Sequence, residues 1–183
     1  MKLIPNDLNA FLGFDEVVSL NDAIIEKTDL LIAPFDAESD RAKVIFEWVR
    51  DNIPHTKDIG EEVVTCTAIE AFEKGTGICF PKSHLLAAMM RHAGIPCGFC
   101  YQVFNNPLND DIETVALHGL NAIFLRETGE WHRIDPRGNK EGIQANFSIT
   151  MESLAFPEME FLDACIYAVP LSNVVSGLTL PTA

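Results

Sequence analysis

The chain of 183 residues carries five cysteines and five histidines, the side chains best suited to nucleophilic and proton-transfer chemistry. One cysteine stands apart by position. Cys79 follows Gly75 and Gly77 and opens an apolar-rich run, Cys79 to His92, whose pattern predicts a helix. A thiol there sits at the end of a flexible loop and at the start of a helix. Helix starts carry unpaired N–H groups and a partial positive charge, and both favour the thiolate, the nucleophilic form of sulfur. The plainer alternative is a small buried cysteine that begins a core helix.

A nucleophilic cysteine needs a histidine base, and the histidine needs an orienting partner. His84 and His92 lie on the cysteine's own predicted helix, where side chains do not fold back to the N-terminal tip. His55 falls in a loop and stays open as a base. His118 starts a predicted strand over 118–125, and Asp135 ends its hairpin partner over 130–135. With a four-residue turn, Arg126 to Gly129, Leu125 faces Glu130 and Leu120 faces Asp135. Asp135 then shares the face of His118 as a diagonal neighbour. A two-residue turn would set the two directly opposite, and a three- or five-residue turn would separate them. His132 falls on the other face from Asp135. A strand histidine beside a strand aspartate can also be a plain surface hydrogen bond. Next to an activated cysteine it is a base with its orienter.

The remaining candidates have simpler readings. Cys97-Gly98-Phe99-Cys100 has redox or zinc spacing but enters a strand, where positions i and i+3 point to opposite faces. Cys66 and Cys165 read as core. Trp131 reads as sheet packing, and Lys82 and Ser83 read as solvated helix residues near the cleft. No metal ligand set and no cofactor-cradling signature is evident, so the expectation is chemistry with no metal and no cofactor.

The elements that must position these groups follow from periodicity. Ser19 is the expected N-cap of a helix over about 20–32, closed by Pro34. A helix from about Asp40 to Asn52 shows Ala42, Ile45, Phe46 and Val49 on one face, and Pro54 ends it. Thr67 and Glu70 form a capping-box pattern for a short helix over 68–74, with Gly75 as its stop. The cysteine helix tolerates Pro81 in its first turn, and Gly94 and Pro96 end it. A strand is predicted over 97–104, a turn-rich loop over 105–111, then the hairpin. A short helix near Ser153 and a strand over about 164–169 complete the reading. Helices first and strands later point to α+β, with N-terminal helices packed on an antiparallel β-sheet. The length suits a single domain, 1–183.

Formal net charge is −14, from 27 acids and 13 bases, which excludes nucleic acid as an expected partner. The longest clean apolar run, Leu85 to Met90, is too short to span a bilayer, and the N-terminus does not read as a secretory signal. An odd number of cysteines without framework spacing points to a reducing, cytoplasmic compartment. No feature defines the oligomeric state.

Three separated blocks resemble the transglutaminase-like superfamily. The first is Gly75-x-Gly77-x-Cys79 with Leu86-x-x-Met89-Met90-Arg91-x-x-Gly94-Ile95-Pro96, the second is His118 at a strand start, and the third is Trp131-x-x-Ile134-Asp135-Pro136. Trp48 to Ile53 and Ala68 to Phe72 resemble the segments upstream, so the likeness covers about residues 40–137. One departure is Gly119-Leu120, where many members have Ala-Trp or a similar pair. The resemblance implies a papain-like thiol fold with the nucleophile opening a central helix. It implies a catalytic Cys79, His118 and Asp135 and acyl chemistry through a thioester. The expected substrate is a peptide, protein or small amide. Water as acceptor gives hydrolysis, the first expectation, and an amine gives transamidation. The alternatives are a non-catalytic peptide- or protein-binding module that retains the fold, and an acyltransferase fed by a carrier thioester.

Overall fold

The loop that delivers Cys79 is built by its flanking caps. The computed structural model describes residues 1–105, 115–157 and 161–179. At the start of α3 (Ala68–Lys74), the Glu70 N–H donates to Thr67 Oγ1 at 3.1 Å. The Glu70 carboxylate accepts from the N–H groups of Thr67 at 3.1 Å and Cys66 at 2.7 Å. Gly75 ends α3 at φ +65°, a left-handed conformation that suits glycine. Two residues on, Gly77 forms a parallel bridge with His55, and α4 (Cys79–His92) begins. A loop tied at both ends holds the thiol in place.

α4 is buried on all sides, with Cys79 and every residue from Pro81 to Arg91 shielded from solvent. It packs between α1 (Asp22–Ile32), α2 (Glu38–Asn52), α3 and the sheet. That burial corrects the expectation for Lys82 and Ser83, which are not solvated. Lys82 Nζ donates to the carbonyls of Arg50 and Ile53 at the end of α2, groups left unpaired by the helix itself. Ser83 Oγ lies 2.9 Å from Cys79 O and 3.2 Å from Gly119 O. Arg91 spans α4 and the sheet by donating to the carbonyls of Cys97, Gly13 and Ala168.

The sheet runs β1-β6-β2-β3-β4, with β5 also paired to β2. Its members are β1 (Lys2–Ile4), β2 (Cys97–Asn105), β3 (Val115–Leu125), β4 (Glu130–Ile134), β5 (Phe161–Leu162) and β6 (Cys165–Tyr167), and α5 (Ser172–Thr179) follows. The pairings are antiparallel except β1 with β6, which is parallel. The sheet is therefore not wholly antiparallel, because a three-residue N-terminal strand with no pattern of its own docks beside the last strand. Leu125 pairs with Glu130 across the hairpin, so the turn is the four residues Arg126 to Gly129.

One core cluster joins the helices to one sheet face, through Phe46, Leu85, Met89, Phe99, Ile123 and others. A second, on the opposite face, contains Phe11, Cys100, Leu120, Ala122, Leu154, Ile166 and Ala168. Along β3, His118 alternates with the residues of the first cluster and shares the second face with Leu120 and Ala122.

Three local expectations differ from the structure. Asn21, not Ser19, caps α1, because its side chain accepts the Ile24 N–H at 2.9 Å. No helix forms near Ser153; the chain there is irregular and tied to Asn146 and Asp135 by backbone groups. The strand containing His118 starts earlier, at Val115. The loop expected over 105–111 lies, from residue 106, outside the described residues. No described helix is long and apolar enough to cross a membrane.

Candidate active site

Cys79 is the first residue of α4, 8 % exposed, with Ile78 as an N-cap whose side chain makes no capping bond. Among the described residues, no side chain caps the first turn, and Pro81 has no N–H to offer. Gly119, directly after His118, brings β3 against this tip. A Cβ on Gly119 would lie 2.5 Å from the Phe80 ring. The glycine that departs from the common Ala-Trp pair thus makes room for Phe80, the neighbour of the nucleophile candidate. Gly119→Ala is expected to destabilise the fold by about 1–3 kcal/mol through overpacking. A lowered urea midpoint at unchanged slope would show it, and an unchanged midpoint would mean that Phe80 moves freely.

The structure brings His118 and Asp135 together. His118 Nε2 lies 2.9 Å from Asp135 Oδ2, and both side chains are almost wholly buried, at 3 % and 0 % exposure. The diagonal relation across the hairpin becomes a direct contact just past the end of β4. Cys79 is among the groups whose interaction raises the proton affinity of His118. The Asp135 carboxylate has two further donors. Arg137 N–H reaches Oδ1 at 3.1 Å, and Ala155 N–H reaches Oδ2 at 2.9 Å.

These contacts fix the charges. Burial works against an imidazolium at His118. The Asp135 charge and hydrogen bond, reinforced by Cys79, outweigh it and push His118 up to about 10. Burial also works against a carboxylate at Asp135, but the His118 charge and the two backbone N–H groups hold it below the usual carboxylate range. Both shifts run in the direction that favours an imidazolium held by a carboxylate.

The other histidines are placed differently. His55 is buried beside the loop of Gly77, and desolvation, aided by Arg137, pushes it down to about 4. Its Nδ1 has no partner among the described residues, while the Asp135 contact belongs to His118. His84 Nδ1 sits 2.6 Å from Cys66 O, and burial pushes that imidazole down to about 4. His92 pairs with Asp29 at 2.8 Å on the surface, and His132 lies 2.9 Å from Thr128 Oγ1. Cys97 and Cys100 fall in different clusters on the two faces of β2, and burial pushes both thiols up to about 12. All five cysteines are free thiols. Trp131 packs in the sheet, edge-on to Phe11 at 4.9 Å.

Several groups at this site carried no sequence signal. Ala155 and Arg137 act through backbone N–H groups, which no side-chain pattern reveals. Lys82, one turn from Cys79, is drawn inward by the bare carbonyls of α2. Phe156 stands at right angles to the His118 ring with centroids 5.0 Å apart, from a stretch that reads as weakly patterned.

A cysteine opening a buried helix and a buried His–Asp pair on the neighbouring hairpin sit on an α+β scaffold of the transglutaminase-like, papain-like class. Residues 28–136 match the transglutaminase-like superfamily, and the chain belongs to it. Among solved structures, a candidate cysteine protease from Cytophaga hutchinsonii superposes with a TM-score of 0.55 at 18 % identity. The match covers 72 % of this chain and 42 % of that one. The periplasmic domain of TgpA from Pseudomonas aeruginosa, bound to ethylmercury, gives 0.52 at 17 % identity over 72 % and 49 %. A second structure of that domain gives 0.51 at 16 % over 71 % and 47 %. The chain thus spans less than half the length of these neighbours, and the likeness is one of fold. No curated protein matches the chain significantly. Family membership supports cysteine-dependent enzyme chemistry in general terms.

Proposed function

We propose that this chain cleaves amide bonds by thiol acyl transfer, with Cys79 as nucleophile, His118 as proton carrier and Asp135 as orienter. The observation that carries this reading is the buried His118–Asp135 pair, 2.9 Å apart, on the strand whose next residue, Gly119, meets Phe80 beside Cys79 at the tip of α4. An imidazolium beside Sγ is a natural partner for negative charge on sulfur. The thiolate attacks the amide carbonyl carbon and forms a C–S bond. Negative charge moves to the carbonyl oxygen, where the Cys79 backbone N–H at the helix start can meet it. The C–N bond then breaks, and His118 gives its proton to the leaving amine. A thioester and a neutral imidazole remain. His118 next takes a proton from water as the water oxygen attacks the thioester. The C–S bond breaks, the acid leaves and the thiolate–imidazolium pair returns.

Water is the acceptor in this proposal, and the substrate is a peptide, protein or small amide. An amine entering in place of water would give transamidation by the same steps.

Incubation with a peptide and amide library, followed by mass spectrometry of intact protein and products, tests the reading. The expected result is an acyl adduct on Cys79 and release of free acid, with the amide of an added amine as a minor product. A dominant amine conjugate would assign transamidation. Binding of a peptide with neither adduct nor turnover would assign a non-catalytic module.

A further inference from the structure

Beyond residue 136, where the family match ends, the chain returns across the sheet face that carries His118. Residues 153–156 are fastened there at three points. The Asn146 N–H donates to Ser153 O at 3.2 Å. Leu154 is buried in the cluster of Leu120 and Ala122, which share the face of His118. Gln102, the ladder partner of His118, donates from Nε2 to Phe156 O at 3.4 Å. Between these anchors lie the two contacts with the site. Ala155 N–H donates to Asp135 Oδ2, the same oxygen that faces His118. The Phe156 ring stands perpendicular, at 84°, to the imidazole.

We propose that this segment is a strap belonging to the acyl-transfer site, with the Ala155 N–H and the Phe156 ring as positioning groups that keep the His118–Asp135 pair aligned and dry. The proposal rests on the reading of His118 as proton carrier. Its physical basis is simple. Attraction between the two charges weakens as water enters. A perpendicular aromatic neighbour fixes the plane of the imidazole ring. A backbone N–H aimed at a carboxylate favours its charged form. The other titratable groups around the pair are Cys79 on α4, His55 after α2, Lys82 on α4 and Arg137 after β4. The strap residues Ser153 to Phe156 bring no charge of their own. Their effect is therefore solvent exclusion and one hydrogen bond, not a new charge.

The test compares wild type with Phe156→Ala, Phe156→Leu and Phe156→Trp in the full chain. His118 is titrated by NMR of labelled histidine. Turnover of p-nitrophenyl acetate gives kcat and KM, and iodoacetamide labelling of Cys79 in His118→Ala provides a separate control. In Phe156→Ala the His118 midpoint is expected to move down by about one pH unit, because the weakened attraction to Asp135 outweighs the relief of burial as water reaches the pair. Its kcat should fall about tenfold with KM little changed. Phe156→Trp should restore both, and Phe156→Leu, which keeps bulk but not the ring, should fall between. If Phe156→Ala does not fold, Phe156→Leu carries the same comparison. A wild-type midpoint and wild-type kcat in the folded variants would overturn the strap. If Cys79 labelling were equally fast in His118→Ala, the parent reading would fail, and the strap's role in acyl transfer with it. A slow His118→Ala beside an unshifted Phe156→Ala would sink the strap alone.

Discussion

Cys79→Ala is expected to abolish turnover of amide and ester substrates, a loss of at least about 10⁴-fold, while the protein keeps its fold. The expectation follows from what the sulfur does and what it does not do. In the proposed cycle both acyl-transfer steps go through a bond to Sγ, so no residual path replaces it. Three of the other four thiols are poor substitutes. Cys97 and Cys100 are buried with thiols pushed up to about 12, and burial raises Cys66 as well. The structural role of the side chain is small. It caps no helix, and the tip of α4 is held instead by Ser83, by Lys82 on the end of α2 and by the bridge of Gly77 with His55. Circular dichroism and the urea midpoint should therefore be near wild type while steady-state turnover vanishes. Turnover within tenfold of wild type would remove Cys79 from the mechanism.

The second large effect is expected for Asp135→Asn. The amide keeps the shape but gives up the charge. Loss of an orienting carboxylate in a comparable serine triad lowers kcat by about four orders of magnitude, and a loss of about 10³–10⁴ is expected here. The sign of the pH dependence of stability gives an independent reading. In the wild type, the Asp135 charge and hydrogen bond push His118 up to about 10 from an ordinary 6.5. Its contribution to stability is fully present below 6.5 and is lost as the pH rises toward 10. Asp135 is shifted downward, so its contribution is present above its ordinary 3.8 and is lost as the pH falls below it. Without the carboxylate, burial dominates at His118 and depresses its affinity for a proton. The variant should then lose stability as the pH falls below 6.5, where the wild type holds steady. Urea midpoints measured from pH 5 to 9 distinguish the two slopes. Parallel curves would mean that the His118–Asp135 contact carries no charge.

Much of the scaffold was legible because local chemistry and tertiary structure agree. Gly75, Pro81, Gly94 and Pro96 punctuate the chain so sharply that α4 could be bounded from sequence, and the capping box of Thr67 and Glu70 did the same for the start of α3. The hairpin register followed from one four-residue turn and the alternation of strand faces. Where the determinants are distant or belong to the backbone, the reading failed. Lys82 looks like a solvated helix residue until the bare carbonyls of Arg50 and Ile53 are brought to it. The pairing of β1 with β6 joins the two ends of the chain through three-residue strands too short to carry a period. The strap of Ser153 to Phe156 acts through a carbonyl, an N–H and one aromatic ring, none of which forms a pattern. Gly119 stands out in the sequence as a departure, but its reason, the ring of Phe80, is visible only in three dimensions.

The central claim is that Cys79 is made reactive by His118, and competitive alkylation tests it most directly. Iodoacetamide at neutral pH, limiting in amount, is allowed to react with the folded protein, and each of the five cysteines is quantified by peptide mass spectrometry. Exposure alone favours Cys165, which is the only one of the five thiols that is not buried. Activation by the imidazolium favours Cys79 despite its 8 % exposure. The account predicts that Cys79 is modified first and that His118→Ala removes that preference. Modification led by Cys165, Cys66 or Cys100, with Cys79 untouched and indifferent to His118→Ala, would contradict it.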